Sequence, residues 1–294
     1  SLHDALPISG RRQPVEVLFS GGSVDELEVF YRHFPPLLRA GAMVAGAAQA
    51  AGGCTRVLEI GAGTGALTHA LRPVLQGTTD EYAYTDVGRR FLMHGQSRFG
   101  DWSALSTALL DLERDPVQQG FGAGSFDLVA GANVVHATAD ISQTLRHLRS
   151  VLRPGGMLLL VETVRPNAFA DCTVGLLDGW WAFRDSAWRS DYPLLTSEQW
   201  CALLGEHDFA ATVIEVDRAA DGGSGTAVVI AVDRRSGAAP AASMSVPVVA
   251  RAVSTPVASV PVASVPVASV DAMALSAPPV VLVEVDAQTW VAGL

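Results

Sequence analysis

Residues 57–68 read Val-Leu-Glu-Ile-Gly-Ala-Gly-Thr-Gly-Ala-Leu-Thr. The apolar residues at the start of this stretch predict a buried strand, and the glycines that follow predict a tight turn into a helix. Glycines allow a ligand to touch the backbone of such a turn, and the N-terminus of the helix favours an anionic or electron-rich group. The stretch therefore predicts a β-turn-α unit in which Gly61, Gly63 and Gly65 bind a ligand.

The glycine spacing fits two kinds of cofactor. Gly61, Gly63 and Ala66 match the relaxed dinucleotide fingerprint, whereas Gly61, Gly63 and Gly65 match the fingerprint of a nucleoside sulfonium. On this spacing alone, an NAD-dependent oxidoreductase stays open as an alternative.

Short β-rich runs alternate with amphipathic stretches from about residue 55 to residue 233. This pattern predicts an α/β fold with a mostly parallel, seven-stranded sheet and helices on both faces. The seven predicted strands are Arg56–Ile60, Tyr82–Asp86, Ala108–Leu112, Phe126–Val135, Met157–Thr163, Ala211–Asp217 and Thr226–Asp233. Apolar spacing predicts a helix over Ile141–Leu152, ended by Arg153-Pro154-Gly155-Gly156, and Thr196 and Gln199 predict a capping box at the start of another.

Composition excludes several kinds of function. The 294 residues carry a formal net charge of -10, which argues against broad binding to nucleic acid or to an anionic membrane surface. All 20 basic residues are arginine, so chemistry that needs a lysine amine is absent. Three scattered cysteines, with no spacing typical of metal ligands, indicate a reducing cytoplasm and no metal site. No stretch is long and apolar enough to predict a membrane span.

The chain divides by composition into four segments. Residues 1–51 predict a short helical cap, and residues 52–235 predict the complete α/β domain. Residues 236–278 contain a Pro-Val-Ala-Ser-Val repeat, which indicates an extended linker, with a short β-solenoid as the alternative. Residues 279–294 include a further predicted strand, Pro279–Val285, which either begins another domain or joins this sheet.

Two acidic residues are predicted at the ends of neighbouring strands. Asp86 ends the second predicted strand, where a carboxylate can accept both hydroxyls of a ribose. Asp111 lies at the end of the third, placed to accept from an adenine amino group, with Leu112 against the ring. Either acid alone could instead be a helix cap or a solvated loop carboxylate. Their order along the sheet favours a nucleoside site.

Several segments together resemble a class I S-adenosylmethionine-dependent methyltransferase. They are Glu59–Gly65, Tyr84–Asp86, Leu110–Glu113, Phe126–Val129, Asn133–Thr138 and Leu152–Gly156. More narrowly, three segments resemble the C-methyltransferase domain of modular type I polyketide synthases: His136–Thr138, Gly179–Trp181 and Tyr192–Leu195. Residues 15–23 are similar to the end of that domain's N-terminal lid. The lid of that family is longer than what precedes Glu59 here, so we expect a truncated cap.

This resemblance implies a Rossmann-like fold and a specific reaction. A methyl group would pass from S-adenosyl-L-methionine to the α-carbon of a β-ketoacyl chain held on an acyl carrier protein, beside other polyketide synthase domains. The residues expected at the cofactor are Glu59, Gly61, Gly63, Gly65, Asp86, Asp111, Leu112 and Asn133.

A carbon nucleophile needs a base, because a proton must leave the carbon between two carbonyls. His136 follows the fourth predicted strand and Glu162 ends the fifth, and the carboxyl ends of these neighbouring strands face the cofactor crevice. The resemblance assigns a catalytic His-Glu dyad to these two positions. The plainer alternatives are a hydrogen-bonded loop histidine and a helix-capping acid. Trp180 and Trp181 are either packing aromatics or walls of a substrate channel.

Two further alternatives remain at this level. The same dyad would serve O- or N-methylation of a natural product, and a shortened lid is compatible with a catalytically silent synthase domain.

Overall fold

The computed structural model describes residues 28, 31, 33, 35–51, 54–216, 225–235 and 280–282. The predicted linker over residues 236–278 and most of the predicted cap before residue 35 lie outside these described residues.

The described chain forms six α-helices and eight strands. The helices are α1 (Pro35–Ala50), α2 (Ala66–Leu75), α3 (Arg89–Phe99), α4 (Ile141–Val151), α5 (Ala168–Cys172) and α6 (Ser197–Glu206). The strands are β1 (Arg56–Ile60), β2 (Glu81–Asp86), β3 (Leu105–Leu109), β4 (Phe126–Ala132), β5 (Leu152–Thr163), β6 (Phe209–Glu215), β7 (Thr226–Asp233) and β8 (Val280–Leu282). Short 3₁₀ turns cover Val117–Gln119, Val135–Ala137, Val174–Leu176 and Asp178–Trp181.

One sheet, in the order β3-β2-β1-β4-β5-β7-β6-β8, carries the fold. Its strands pair in parallel except β7, which runs antiparallel to both β5 and β6. The strand order reverses between β1 and β4, and in such sheets ligands bind at the carboxyl ends of the strands near the reversal. The predicted mostly parallel α/β fold is confirmed. Besides the seven strands predicted for the domain, the described sheet includes Val280–Leu282, which lies within the further predicted strand Pro279–Val285 and pairs in parallel with β6, as in the alternative in which that strand joins this sheet.

Helices cover both faces of the sheet. On one face, α4 and α6 bury an apolar stripe against the strands, and Ile141, Leu145, Leu148 and Val151 of α4 are all fully buried. Their spacing of four, three and three residues keeps them on one side of the helix. On the other face, α1, α2 and α3 pack on the sheet. The predicted capping box at Thr196 and Gln199 is present at the start of α6.

Two predicted strand ends are wrong. β3 was expected at Ala108–Leu112 but ends at Leu109, because the Asp111 carboxylate accepts the N–H of Glu113 (3.0 Å) and turns the chain. β4 was expected to reach Val135 but ends at Ala132, since Asn133 adopts a left-handed backbone (φ 50). Apolar residues continue past both strands because the following loops also pack into the core, which the alternating pattern cannot distinguish from strand.

Smaller shifts affect β5 and β6. β5 begins at Leu152 rather than Met157, with a register irregularity where the predicted breaker residues lie. β6 covers Phe209–Glu215 rather than Ala211–Asp217. Within the part of the chain that the structure describes, no helix is both long and apolar enough to cross a membrane, and no group of three metal-binding side chains is assembled.

Candidate active site

A cavity of about 510 Å³ lies at the carboxyl ends of β1 and β4. Four of the predicted cofactor residues line it: Glu59, Gly61, Gly63 and Asn133. Its other walls come from α1, which contributes Leu38, from α2, from Phe91 of α3 and from Tyr31, which precedes α1. The cavity therefore lies between the glycine loop and the N-terminal helical segment.

The glycine loop is fixed by the end of β2. The Ala62 N–H donates to the Thr85 carbonyl (2.9 Å), and the Tyr84 hydroxyl donates to the Gly63 carbonyl (2.7 Å). The Gly63 N–H donates to Asp86 Oδ2 (3.0 Å). Three consecutive residues of β2 thus hold the loop in place, so its shape does not depend on the loop sequence alone.

The three glycines of the loop all have positive φ, but their surroundings differ. A Cβ added to Gly61 would overlap Val134, and one added to Gly65 would overlap Phe99. A Cβ added to Gly63 would meet nothing closer than the Gly61 carbonyl oxygen at 3.8 Å. Gly61 and Gly65 are therefore required for packing, whereas Gly63 leaves space that opens toward the cavity.

Glu59 is a buried carboxylate at the floor of the cavity. Its Oε2 accepts hydrogen bonds from the Thr68 hydroxyl (2.5 Å) and the Tyr82 hydroxyl (2.6 Å). Burial raises the pKa of Glu59 to about 7, against the opposing effect of these two donors. A cation bound beside this group would favour its charged form. Glu59 is thus suited to face a positively charged ligand.

Asp86 is buried and bonded to the backbone on both oxygens. Besides Gly63, the Gly88 N–H donates to it, at Oδ1 (2.7 Å). Burial raises the pKa of Asp86, although these N–H donors oppose the shift. The position at the end of β2 is the predicted one, and the bonds show an additional role in shaping the loop.

Asp111 and Leu112 lie apart from the cavity lining. Asp111 is two residues beyond β3, and its backbone N–H donates to Gln119 Oε1 (2.9 Å). Leu112 is 6% exposed and belongs to the hydrophobic core beneath α4. The predicted end-of-strand position of Asp111 is therefore wrong, and the described contacts of Leu112 are packing contacts.

Asn133 connects the carboxyl ends of β4 and β5. Its Oδ1 accepts from both the backbone N–H and the hydroxyl of Thr163 (3.0 Å each). Asn tolerates the left-handed backbone seen here better than most residues. The turn it makes directs the next residues, including His136, along the end of the sheet.

His136 and Glu162 are in direct contact. His136 Nδ1 lies 2.5 Å from Glu162 Oε2, and the two residues are 5% and 0% exposed. The other oxygen, Oε1, accepts the backbone N–H groups of Val134 (3.3 Å) and Val135 (3.0 Å). Glu162 therefore holds both the imidazole and the turn that carries it. This arrangement leaves Nε2 as the ring nitrogen that can exchange a proton with a substrate.

The two tryptophans have different environments. Trp180 is buried and meets the His136 ring edge-on, with ring centroids 5.3 Å apart. Trp181 is 48% exposed, and its indole N–H donates to the Gly175 carbonyl (2.8 Å). Only Trp180 touches the candidate catalytic pair.

Sequence reasoning missed Thr68, Tyr82 and Tyr84. The two tyrosines alternate on β2 directly opposite β1, in the register Val57↔Tyr82 and Glu59↔Tyr84. Two tyrosines at positions i and i+2, on the strand next to the one that carries the buried Glu59, could have predicted a hydroxyl donor to that carboxylate. Arg189, whose guanidinium donates to the backbone carbonyls of His136 and Thr138, gave no comparable signal.

Comparisons with known proteins show which proteins the chain resembles. Residues 58–158 match a family model described as a methyltransferase domain. The chain is 40% identical over 219 residues to polyketide synthase ThaG of Burkholderia thailandensis, an alignment that covers 71% of this chain but only 4% of that synthase.

Two solved structures share the fold. The crystal structure of the CurJ carbon methyltransferase is 35% identical with a TM-score of 0.69, over 76% of this chain and 61% of that one. The trans-methyltransferase CalH, in complex with SAH, is 30% identical with a TM-score of 0.65, over 79% and 65%. With the glycine loop, the acidic residue ending β2 and the sheet order, these matches identify the chain as a class I S-adenosylmethionine-dependent methyltransferase domain that resembles the C-methyltransferase domains of polyketide synthases.

Proposed function

We propose that this domain transfers a methyl group from S-adenosyl-L-methionine to the α-carbon of a β-ketoacyl thioester on an acyl carrier protein, as one domain of a polyketide synthase. The observation that carries the proposal is the buried His136–Glu162 pair. A carbon nucleophile forms only when a base removes the α-proton, and a buried imidazole held by a carboxylate is suited to that role. The similarity to a carbon methyltransferase supports the same reaction.

The residues around the cavity fit the cofactor. When bound, S-adenosylmethionine supplies an electrophilic methyl group on a positively charged sulfur. Gly63 leaves room for close approach to the backbone, and the buried Glu59 carboxylate offers a counter-charge to the ammonium or sulfonium group. The CalH structure, which contains SAH, supports this choice of ligand.

His136 acts as the base in this proposal. With its Nδ1 proton donated to Glu162, the neutral ring has a free electron pair on Nε2, which takes the proton from the substrate α-carbon. The electron pair left on that carbon forms the new bond to the methyl group, while the sulfur leaves as a neutral thioether. Glu162 orients the ring and stabilises it once it is charged.

Trp180 lines the path to His136 in this proposal. Its buried indole N–H has no hydrogen-bond partner among the described residues, so a substrate carbonyl oxygen would satisfy it.

The test compares His136→Ala with Glu162→Gln in an assay with S-adenosylmethionine and a β-ketoacyl thioester mimic. We expect His136→Ala to lower the methylation rate by roughly 10²–10⁴ with cofactor affinity unchanged. Glu162→Gln should cost less, because an amide still holds the ring. His207→Ala is the matched control, since the described side-chain hydrogen bond of His207 goes to Ser142 on α4 and not to His136 or Glu162.

Exchange of the substrate α-protons with heavy water, measured without cofactor, identifies the carbon-acid step directly. Exchange by the wild type but not by His136→Ala supports the proposal. If the transferred methyl group is found on oxygen or nitrogen in the product, the O- or N-methyltransferase alternative is favoured. Calorimetric binding of S-adenosylhomocysteine by a wild-type domain that shows no turnover would favour the catalytically silent alternative.

A further inference from the structure

Arg189 is the most deeply buried cationic residue near the candidate site. The residue is 1% exposed, and its one described carboxylate partner is Asp185, at 2.7 Å from Nε. A guanidinium removed from water is costly unless its N–H groups are bonded. The stability of this buried guanidinium therefore depends on the hydrogen bonds that its other N–H groups make.

The remaining donors of Arg189 go to the backbone that carries His136. Nη1 donates to the carbonyl of His136 itself (2.7 Å), and Nη2 donates to the carbonyls of Thr138 (2.8 Å) and Ala139 (3.2 Å). A longer bond from Nη1 reaches the Pro193 carbonyl (3.4 Å). Three of these four carbonyls belong to residues 136–139, immediately around the imidazole.

Asp185 extends the same attachment. While its Oδ1 accepts from Arg189, its Oδ2 accepts the Ile141 N–H at the start of α4 (2.9 Å). The Arg184 N–H also donates to the Ala139 carbonyl (2.8 Å). Residues 184–189 thus bind residues 136–141 through side chains and backbone together.

We propose that Arg189 is a positioning residue for His136. The imidazole is held from two sides: Glu162 fixes its Nδ1 from β5, and Arg189 fixes the carbonyl of the same residue from the opposite segment. The direction of Nε2 depends on both attachments. This inference rests on the proposed role of His136 as the base.

A lysine cannot replace this arrangement. The planar guanidinium presents five donors in a fixed fork, whereas an ammonium is a point charge with three donors. Arg189→Lys therefore keeps the charge but loses the simultaneous bonds to His136, Thr138 and Asp185. Displacement of a catalytic group by about 1 Å costs about 10²-fold in rate.

Arg235 provides a matched control. It also pairs with a buried aspartate, Asp233, and donates to two backbone carbonyls, Arg149 (2.7 Å) and Leu152 (2.8 Å). These contacts lie at the amino end of β5, away from Glu162 at its carboxyl end. Arg235→Lys thus also removes guanidinium bonds to an aspartate and to two backbone carbonyls, but these bonds do not involve the candidate site.

The experiment measures the full chain as wild type, Arg189→Lys, Arg235→Lys and His136→Ala. We expect Arg189→Lys to lower α-proton exchange and kcat for methylation by about 10²-fold, with the Kd for S-adenosylhomocysteine unchanged. Arg235→Lys should keep the wild-type rate. The proton resonance of the His136–Glu162 hydrogen bond, identified by its loss in His136→Ala, should shift in Arg189→Lys and stay unmoved in Arg235→Lys.

The outcomes separate the two proposals. Wild-type exchange and an unmoved resonance in Arg189→Lys would overturn the positioning role while leaving His136 as the base. An equal loss in both lysine variants would mean general destabilisation and would also overturn it. Wild-type protein without exchange, or exchange that survives in His136→Ala, would remove the proposed function and this inference with it.

If Arg189→Lys does not fold, Asp185→Asn carries the same test, because it removes the charge partner of Arg189 while keeping the side-chain size.

Discussion

Gly63 and Gly65 share a left-handed backbone but carry different constraints. Both have positive φ, at 55 and 78, so an alanine at either position pays a similar conformational cost. The difference lies in the space around them, since only Gly65 packs against a neighbouring ring. Alanine substitutions at these two positions therefore distinguish a loss of ligand access from a loss of core packing.

We expect Gly63→Ala to weaken cofactor binding more than it destabilises the fold, and Gly65→Ala to do the reverse. The overlap with Phe99 should cost Gly65→Ala roughly 1–3 kcal/mol beyond the shared backbone strain. Calorimetry with S-adenosylhomocysteine and thermal unfolding measure the two effects. Unchanged affinity in Gly63→Ala would show that the ligand does not approach the loop there.

At the scale of single residues, the sequence could predict a site residue where its role requires one particular residue type. The glycines, Glu59, His136 and Glu162 could be proposed as site residues because their types and their positions relative to strands carry the signal. Arg189 could not, because its proposed positioning role depends on carbonyl oxygens about 50 residues earlier in the chain, and carbonyls carry no sequence signature. For Leu112 the contact with an adenine ring stays a prediction, because an apolar residue after a strand looks the same in sequence whether it packs on a ring or in the core.

At the scale of elements, the end of β2 controls the glycine loop. Asp86 accepts one N–H from that loop and one from the start of α3. An asparagine at this position would direct its amide N–H₂ toward one of these donors, since only one of its side-chain atoms can accept. The Asp86 carboxylate is therefore needed to hold the glycine loop in place, whether or not it also binds a ribose.

We expect Asp86→Asn to weaken S-adenosylhomocysteine binding by about 1–3 kcal/mol, because a buried donor is left unsatisfied and the ribose contact is lost. Asp101→Asn is the control, since Asp101 forms an exposed pair with Arg72 and should have almost no effect. Calorimetric titration measures both. Equal affinity in Asp86→Asn and wild type would remove Asp86 from the binding site.

Elements were predictable from periodicity, but their ends were not. The apolar spacing of α4 and the capping box of α6 depend on nearby residues and were identified correctly. The ends of β3 and β4 depend on a turn at Asp111 and a left-handed Asn133, and both turns interrupt apolar patterns that continue into the core.

At the scale of the whole molecule, the two ends of the sheet have different roles. The carboxyl ends of β1, β4 and β5 carry the candidate site, whereas an arginine network surrounds Asp233 near the amino end of β5. Burial raises the pKa of Asp233, but the bonds from Arg235 and Arg149 outweigh it and leave the pKa below its ordinary value. The ionised carboxylate thus stabilises the fold.

We expect Asp233→Asn to destabilise the protein by about 1–3 kcal/mol near neutral pH without changing the methylation rate. Because the folded-state pKa is lowered, this contribution is present above the unfolded pKa of about 3.9 and is lost as the pH falls through the folded value. Denaturant unfolding at several pH values measures the difference between variant and wild type. A difference that persists undiminished at acidic pH, or a slower reaction at neutral pH, would contradict this assignment.

The double attachment of the His136 turn has a consequence for protein engineering. Introducing this histidine and glutamate into an oxygen-alkylating enzyme of the same fold would transfer only one of the two attachments. The recipient would also need a segment equivalent to residues 184–189, because that segment binds the carbonyls of the grafted turn. On the proposed mechanism, three separate pieces of chain would have to be transferred together, and designs limited to the two polar side chains should yield a mispositioned imidazole.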